Sequence, residues 1–263
     1  MSDSVRELCV YILAKNEARN IGRCLTALSR TGWSVVILDS GSTDETVSIV
    51  QRFAFAAVRA YRYSNHCAAY NEITVNLARE SRYVLVLDAD MIVGEALIDE
   101  IKQLVLLPIK FEAAEASILM CVDGLPLRYG SLYPPKACLF ATGRAYFEAT
   151  GHGERLVSGV RLQRFSASLT HDDRKDYTSY LLSQVRYARN LSERATTSQY
   201  TFRDWLRTKT PLLVLAVPFV SYVLKLGFTS GRAGVLYAMD RLIAEAVMYR
   251  QAVASALERD KAG

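Results

Sequence analysis

Short apolar runs that end in polar residues recur along the first third of the chain. Leu8 to Ala14, Trp33 to Leu38 and Tyr83 to Leu87 are each rich in β-branched, aromatic or leucine residues. Continuous runs of that kind predict strands buried on both faces of a parallel sheet. A weaker strand is expected near Ala57 to Tyr63. Between the first two runs, Ile21, Cys24, Leu25 and Leu28 recur at i, i+3, i+4 and i+7, the spacing of one helix face. Ser42-Thr43-Asp44-Glu45 reads as a capping box opening the next helix, with Ser42 bonding forward and Glu45 reaching back. A further helix is expected from about Ala68 to Arg79. Repeated β-α-β units predict an α/β fold with a mostly parallel sheet and right-handed crossovers. After Asp90 the pattern changes. Glu95 to Leu106 reads as helix, and Ala116 to Val122 and Lys136 to Ala141 read as strands around the turn-rich stretch Asp123 to Pro135. From Tyr177 onward the pattern is mostly helical, so the expected division is a catalytic α/β domain over residues 1–175 and a helical region over 176–263.

The chemistry gathers where those strands end. Open α/β sheets place ligands at the carboxyl ends of their strands, and here those ends read Leu13-Ala14-Lys15-Asn16-Glu17, Asp39-Ser40-Gly41-Ser42 and Asp88-Ala89-Asp90. Asp88 and Asp90 stand one residue apart. Desolvation and mutual repulsion both oppose such a pair unless a cation joins it. A hard divalent ion, Mg²⁺ or Mn²⁺, carrying substrate phosphates resolves that conflict. Asp39 can accept from a base N–H and Glu17 from ribose hydroxyls, with backbone groups at Leu13 and Ser40 completing the recognition. Taken alone, Glu17 also fits a carboxylate complementing a helix N-terminus.

Composition narrows the partners. The chain of 263 residues is 51% apolar and 22% charged, enough for a sizeable core. Its formal charge of +5 suits a phosphate-rich substrate or an anionic surface, and no nucleic-acid motif or arginine-rich tract accompanies it. The five cysteines (Cys9, Cys24, Cys67, Cys121, Cys138) are odd in number and lack any C-x-x-C pair, which points to reduced thiols rather than a disulfide frame or zinc site. The N-terminus lacks the apolar core of a signal peptide, so a cytoplasmic protein is expected. Pro211 to Leu224 is the greasy exception. It falls short of the roughly 20 apolar residues a bilayer span needs. Arg203, Arg207, Lys209 and Lys225 flank it. Basic flanks fit insertion into an anionic membrane interface; a buried helix pair or a homodimer seam is the competing cover.

The strings ILAKNEARNI, VVILDSGSTDET and LVLDAD resemble those of family-2 glycosyltransferases with a GT-A fold. The resemblance runs over nearly the whole chain. SLYPPKACLF, GHGERL, HDDRKDYTSYLLSQVRYA and GFTSGRAGVLYAMDRLIAEA are similar to a bacterial subgroup related to lipopolysaccharide core β-1,4-glucosyltransferases. The resemblance implies that Leu13, Lys15, Glu17, Asp39, Ser40 and Asp88 hold the nucleotide and that Asp88 and Asp90 hold a metal on its diphosphate. It also implies a UDP-sugar donor and a glycan or glycolipid acceptor of the cell envelope. Many relatives carry a basic residue just before the asparagine in the helix after the third strand, where this chain has Tyr70-Asn71. Lys136, Arg174 or Lys175 can supply the missing charge.

His171-Asp172-Asp173-Arg174-Lys175 forms a second cluster, in which a neutral imidazole can add a metal ligand beside the carboxylates. A charged run of this kind is otherwise a solvated turn. His152 and Glu154 form a third group on the loop Gly151 to Gly153, and His66 reads as structural. The expected reaction is inverting glycosyl transfer, with either Glu154 or Asp172 taking the proton of the attacking hydroxyl. A polyprenyl-phosphate sugar synthase is the same-fold rival. A haloacid-dehalogenase-type phosphatase also uses Asp-x-Asp after a strand, but on its first strand with Thr or Val two residues on, where this chain has Ile92. A non-catalytic, membrane-associated nucleotide-binding protein is the remaining reading, and it requires an idle Asp90.

Overall fold

The computed structural model describes residues 6–108, 110–150, 153–157, 159–193 and 201–262. The chain divides into two compact units, Met1–Leu119 with Tyr133–Arg174, and Met120–Leu132 with Lys175–Gly263.

The first unit opens with β1 (Arg6–Ala14), α1 (Ile21–Leu28), β2 (Ser34–Asp39), α2 (Thr46–Val50), β3 (Ala56–Ala60) and α3 (His66–Asn71), which runs into a π-helical stretch, Glu72–Leu77. Then come β4 (Ser81–Asp88), β5 (Met91–Val93), α4 (Glu95–Leu106) and β6 (Ala113–Ala116), and β7 (Ile118–Val122) carries the chain across the unit boundary to β8 (Leu125–Leu127). The first unit resumes with β9 (Lys136–Ala141), β10 (Phe147–Thr150), β11 (Gly153–Leu156), β12 (Leu162–Arg164) and β13 (Leu169–His171). Its seven-stranded sheet has the order β12-β6-β9-β4-β1-β2-β3. The β1–β2, β1–β4, β2–β3 and β6–β12 pairs are parallel, while β9 runs antiparallel to both β4 and β6.

Alternate side chains of the central strands feed two cores. Val10, Ile12, Leu85 and Leu87 pack with Ile21 and Leu25 of α1 and Leu97 and Ile101 of α4 on one face. Tyr11, Leu13, Val84 and Val86 pack with Ala69, Tyr70 and Ile73 on the other. Each such fully buried aliphatic side chain contributes about 1.5–3 kcal/mol. All four residues read as the α1 stripe are buried.

The Ser42–Glu45 capping box does not form. The N-cap of α2 is Glu45, without a side-chain cap, and Ser42 instead donates to Asp39 at 2.5 Å and accepts from the Asn16 N–H at 2.9 Å. Asp44 serves the helix start, accepting from the Thr46 N–H at 3.0 Å. The hydroxyl that looked like a cap is spent joining two strand ends.

In the second unit the Asp123-Gly124 turn joins Val122 to Leu125, and both turn residues have positive φ (49° and 81°). That is the backbone a two-residue hairpin asks for. The helices are α5 (Tyr177–Glu193), α6 (Phe202–Lys209), α7 (Leu212–Phe219) and α8 (Arg232–Ala262). Ala188 and Leu191 of α5 pack with Ala244 and Met248 of α8. The GFTSGRAG motif explains itself by backbone approach. A Cβ at Gly234 would lie 1.9 Å from the Gly227 carbonyl oxygen, and one at Gly130 would lie 2.6 Å from the Gly227 Cα. The greasy run folds as α7, with Pro218 inside it, followed by a π-helical turn, Val220–Leu224. Among the described residues, no helix is long and apolar enough to cross a membrane.

Candidate active site

Register brings the strand ends level. Ala14 of β1 stands opposite Asp39 of β2, and Leu13 stands opposite Asp88 of β4. The loops beyond are stitched together. Asn16 (φ 55°) accepts from the Thr43 N–H at 2.8 Å, Thr46 accepts from the Glu17 N–H at 2.7 Å, and Asp44 accepts from the Ala18 N–H at 3.1 Å. Asparagine tolerates that left-handed backbone better than most residues. Asp39 is buried and accepts from the Gly41 and Ser42 N–H groups at 3.1 Å, which fixes its carboxylate at the rim. The Ser40 N–H donates to the Ala14 carbonyl at 3.0 Å, and Lys15 is exposed beside it.

The second half of the site arrives through β5 and β13. Their antiparallel pairing sets His171 opposite Met91, and the Asp172 N–H donates to the Asp90 carbonyl at 3.0 Å. As a result His171 Nε2 lies 3.4 Å from Asp90 Oδ2, and Tyr133 lies against the imidazole with ring centroids 5.4 Å apart. Asp90 Oδ1 and His171 Nδ1 are buried, and neither has a hydrogen-bond partner among the described residues. Burial pushes the Asp90 carboxyl above its ordinary value, helped by the charges of Asp88 and Asp173 and opposed by His171.

Asp88 is treated differently. Lys136, at the start of β9, places Nζ 2.6 Å from Asp88 Oδ2 and 5.7 Å from the centroid of the Tyr70 ring. Burial alone would raise the Asp88 carboxyl, but Lys136, His66 and His171 together hold it below the usual range. Tyr70 is itself packed edge-on against Phe140 and Phe147, at 6.0 and 5.1 Å. At the position before Asn71 this chain thus packs an aromatic ring, and the cation beside Asp88 is Lys136 of β9.

Asp172 faces a different neighbourhood. Arg23 reaches its Oδ2 at 2.6 Å, and Arg174 reaches both oxygens at 2.8 and 2.9 Å. Asn20, 1% exposed, donates to Glu17 at 2.8 Å and to Asp173 at 2.7 Å, and accepts from Arg23 and from the Arg174 N–H, both at 2.9 Å. This network fastens the 171–174 segment to the start of α1. Glu154 stands on β11 opposite Ala149, and its side chain lies outside the described residues, as does His152.

A divalent ion fits this edge at Asp90. The orphaned carboxylate oxygen and the facing imidazole offer oxygen and nitrogen donors, and a hard cation that keeps substrate phosphates needs few protein ligands. Asp88 can reach such an ion only by sharing its charge with Lys136. Among the described residues, no group of three or more His, Cys, Asp or Glu side chains is arranged to hold a metal.

Residues 9–104 match the family model of glycosyl transferase family 2. That stretch holds Asp39, Asp88 and Asp90; Lys136, Glu154, His171 and Asp172 lie beyond it. No curated protein sequence matches the chain. Among solved structures, TarS of S. aureus is 14% identical with a TM-score of 0.46, over 92% of this chain and 54% of that one. The chain thus spans about half the length of that protein. Glucosyl-3-phosphoglycerate synthase from Mycobacterium tuberculosis, solved with Mn²⁺, UDP and glucosyl-3-phosphoglycerate, is 16% identical with a TM-score of 0.45, over 72% of this chain and 80% of that one. The parallel-rich sheet with its flanking helices and helical C-terminal region is an α/β fold, and residues 9–104 of it carry the match to glycosyl transferase family 2.

Proposed function

We propose that this protein is a metal-dependent inverting glycosyltransferase that moves a sugar from a UDP-sugar to a hydroxyl of a cell-envelope glycan or glycolipid, such as lipopolysaccharide core. The observation that carries the reading is Asp90 at the carboxyl end of the parallel sheet: its Oδ1 is buried and unpartnered, while its Oδ2 lies 3.4 Å from His171 Nε2. Asp39 and the Leu13 backbone take the base, Glu17 the ribose, and Ser40 and Lys15 border the donor. Asp90 and His171 would hold Mg²⁺ or Mn²⁺ together with the donor's own oxygens, and Asp88, paired with Lys136, would add to the negative charge around the ion. When bound, the ion supplies Lewis-acid stabilisation of the leaving diphosphate. Lys136 adds a fixed positive charge on the same side, which needs no reorganisation as the diphosphate departs. Glu154 takes the proton of the attacking hydroxyl, and Asp172 is the alternative. Glu154 is favoured because both oxygens of Asp172 are committed to Arg23 and Arg174. The reaction belongs at the cytoplasmic face of the inner membrane, with the helical region attaching peripherally.

Titration calorimetry and thermal shift with UDP and GDP, each with and without Mn²⁺, test the reading. A ligand that binds the folded state alone raises stability by RT ln(1 + [L]/Kd). UDP is expected to bind more tightly than GDP, and more tightly still with Mn²⁺. Equal or reversed preference overturns the donor assignment, and indifference to Mn²⁺ overturns the metal.

A further inference from the structure

Helices α6 and α7 and the turns that follow carry apolar side chains that the protein leaves in water. Phe202 is 74% exposed, Leu215 70% and Phe219 54%, and Trp205, Leu212 and Leu224 stand out with them. In α7 just Val217 and Pro218 are buried. Leu212, Leu215, Phe219 and Val223 follow one another at steps of three and four, so they share one face. Phe202 and Trp205 stack at 5.8 Å, forming an aromatic pair of the kind that sits well at a water–lipid boundary.

Charge identifies the cover. Every exposed charge over residues 201–235 is positive: Arg203, Lys209, Lys225 and Arg232. The one acid in that stretch, Asp204, is buried and caps α6 through Thr201. Arg207, which the sequence places among the flanking cations, is buried on Glu245 and belongs to the interior. A second copy is a poor fit, because a twofold seam sets this same patch, with these same cations, against itself. An anionic lipid surface offers both an apolar layer and opposite charge.

We propose that this surface seats the protein on an anionic bilayer, with the apolar side chains at the headgroup–acyl boundary and the four cations against lipid phosphates. The inference rests on the peripheral-attachment part of the function proposed above and names the surface that performs it. Vesicle binding is read without donor or metal, so the two readings fail separately.

The test is flotation of the full chain with mixed phosphatidylglycerol–phosphatidylcholine vesicles and with phosphatidylcholine vesicles alone. Binding to the anionic vesicles at low salt is expected, with most of it lost at high salt as screening shortens. Leu215→Ser with Phe219→Ser, and separately Lys209→Gln with Lys225→Gln and Arg232→Gln, should each lower binding about tenfold or more. All five side chains are exposed, and the bond from Lys225 Nζ to the Ser131 carbonyl at 3.3 Å is exposed as well, so the unfolding midpoint should move little and UDP binding should not move. Four results overturn the proposal: no flotation at low salt, equal binding to neutral vesicles, variants that float like the wild type, or a stable dimer that ignores vesicles and is dispersed by the Leu215 and Phe219 changes.

Discussion

Two regions of this molecule bury an acid, on opposite terms. In the helical unit Glu245 lies inside α8 and receives Arg207 in a bidentate pair at 2.6 and 2.5 Å, with both side chains almost fully covered. At the sheet edge Asp90 is less covered, its side chain 16% exposed against 6% for Glu245, and it meets an imidazole at 3.4 Å and keeps one buried oxygen without a partner. A buried ion pair with good geometry roughly repays its desolvation, whereas a buried orphan does not. The first arrangement serves the fold. The second costs the fold something, and sites of that kind are where local rules give way to function.

The widest separation between the two acids comes from removing each partner in turn. Asp90→Ala is expected to abolish metal-dependent binding of UDP and to lower transfer by ~10³-fold or more, the size of losing the main electrostatic support of a leaving group. Its unfolding free energy should change by less than about 1 kcal/mol, or rise, because an unsatisfied buried group is lost. Urea denaturation beside a Mn²⁺ titration checks both halves. A loss of several kcal/mol with transfer retained would make Asp90 a structural residue and erase the contrast.

Arg207→Met should do the reverse. It strands Glu245 in an apolar interior and should cost about 3–5 kcal/mol, while UDP binding by the sheet unit stays near wild type. Adding Glu245→Leu should bring stability back to within about 1 kcal/mol of the parent, since a packed apolar pair replaces an ion pair at little net cost. If the double variant is no more stable than the single one, the pair is not the self-contained unit the contrast requires.

How far the sequence reveals these two regions differs for a physical reason. Period and run length are local, so β1, β2 and β4 were legible, and α4 and β9 fall on the bounds their patterns suggest, Glu95–Leu106 and Lys136–Ala141. The Asp39, Asp88 and Asp90 edge was legible too, because each acid directly follows or ends an apolar run. What the chain could not announce is pairing over distance. Lys136 meets Asp88 because β9 inserts antiparallel beside β4, and His171 meets Asp90 because β13 folds back on β5. Arg207 looked like a surface cation because its partner lies 38 residues further on. Ser42 looked like a helix cap because its true partners, Asn16 and Asp39, come from two strand ends that only the β1–β2 register brings together.

The smallest expected effect lies at the same rim, where a carboxylate is matched entirely by neutral donors. Asp44 accepts from the Thr46 hydroxyl at 2.5 Å, the Thr46 N–H at 3.0 Å and the Ala18 N–H at 3.1 Å. Burial nudges its carboxyl upward, but the donors outweigh it and hold the group below its ordinary value. A folded-state value below the unfolded one means that ionised Asp44 favours the native chain. That stability is fully present above the unfolded carboxylate range and is lost as pH falls through the folded value. Asp44→Asn keeps the acceptor oxygen and removes the charge, so at neutral pH it should cost only about 0.5 kcal/mol, discounted for the exposure of the site. The gap between variant and parent should close as the pH is lowered through the carboxylate range, where the parent too becomes neutral. Unfolding midpoints measured across that range decide the matter. A gap that persists in acid would show that Asp44 holds the loops by geometry alone.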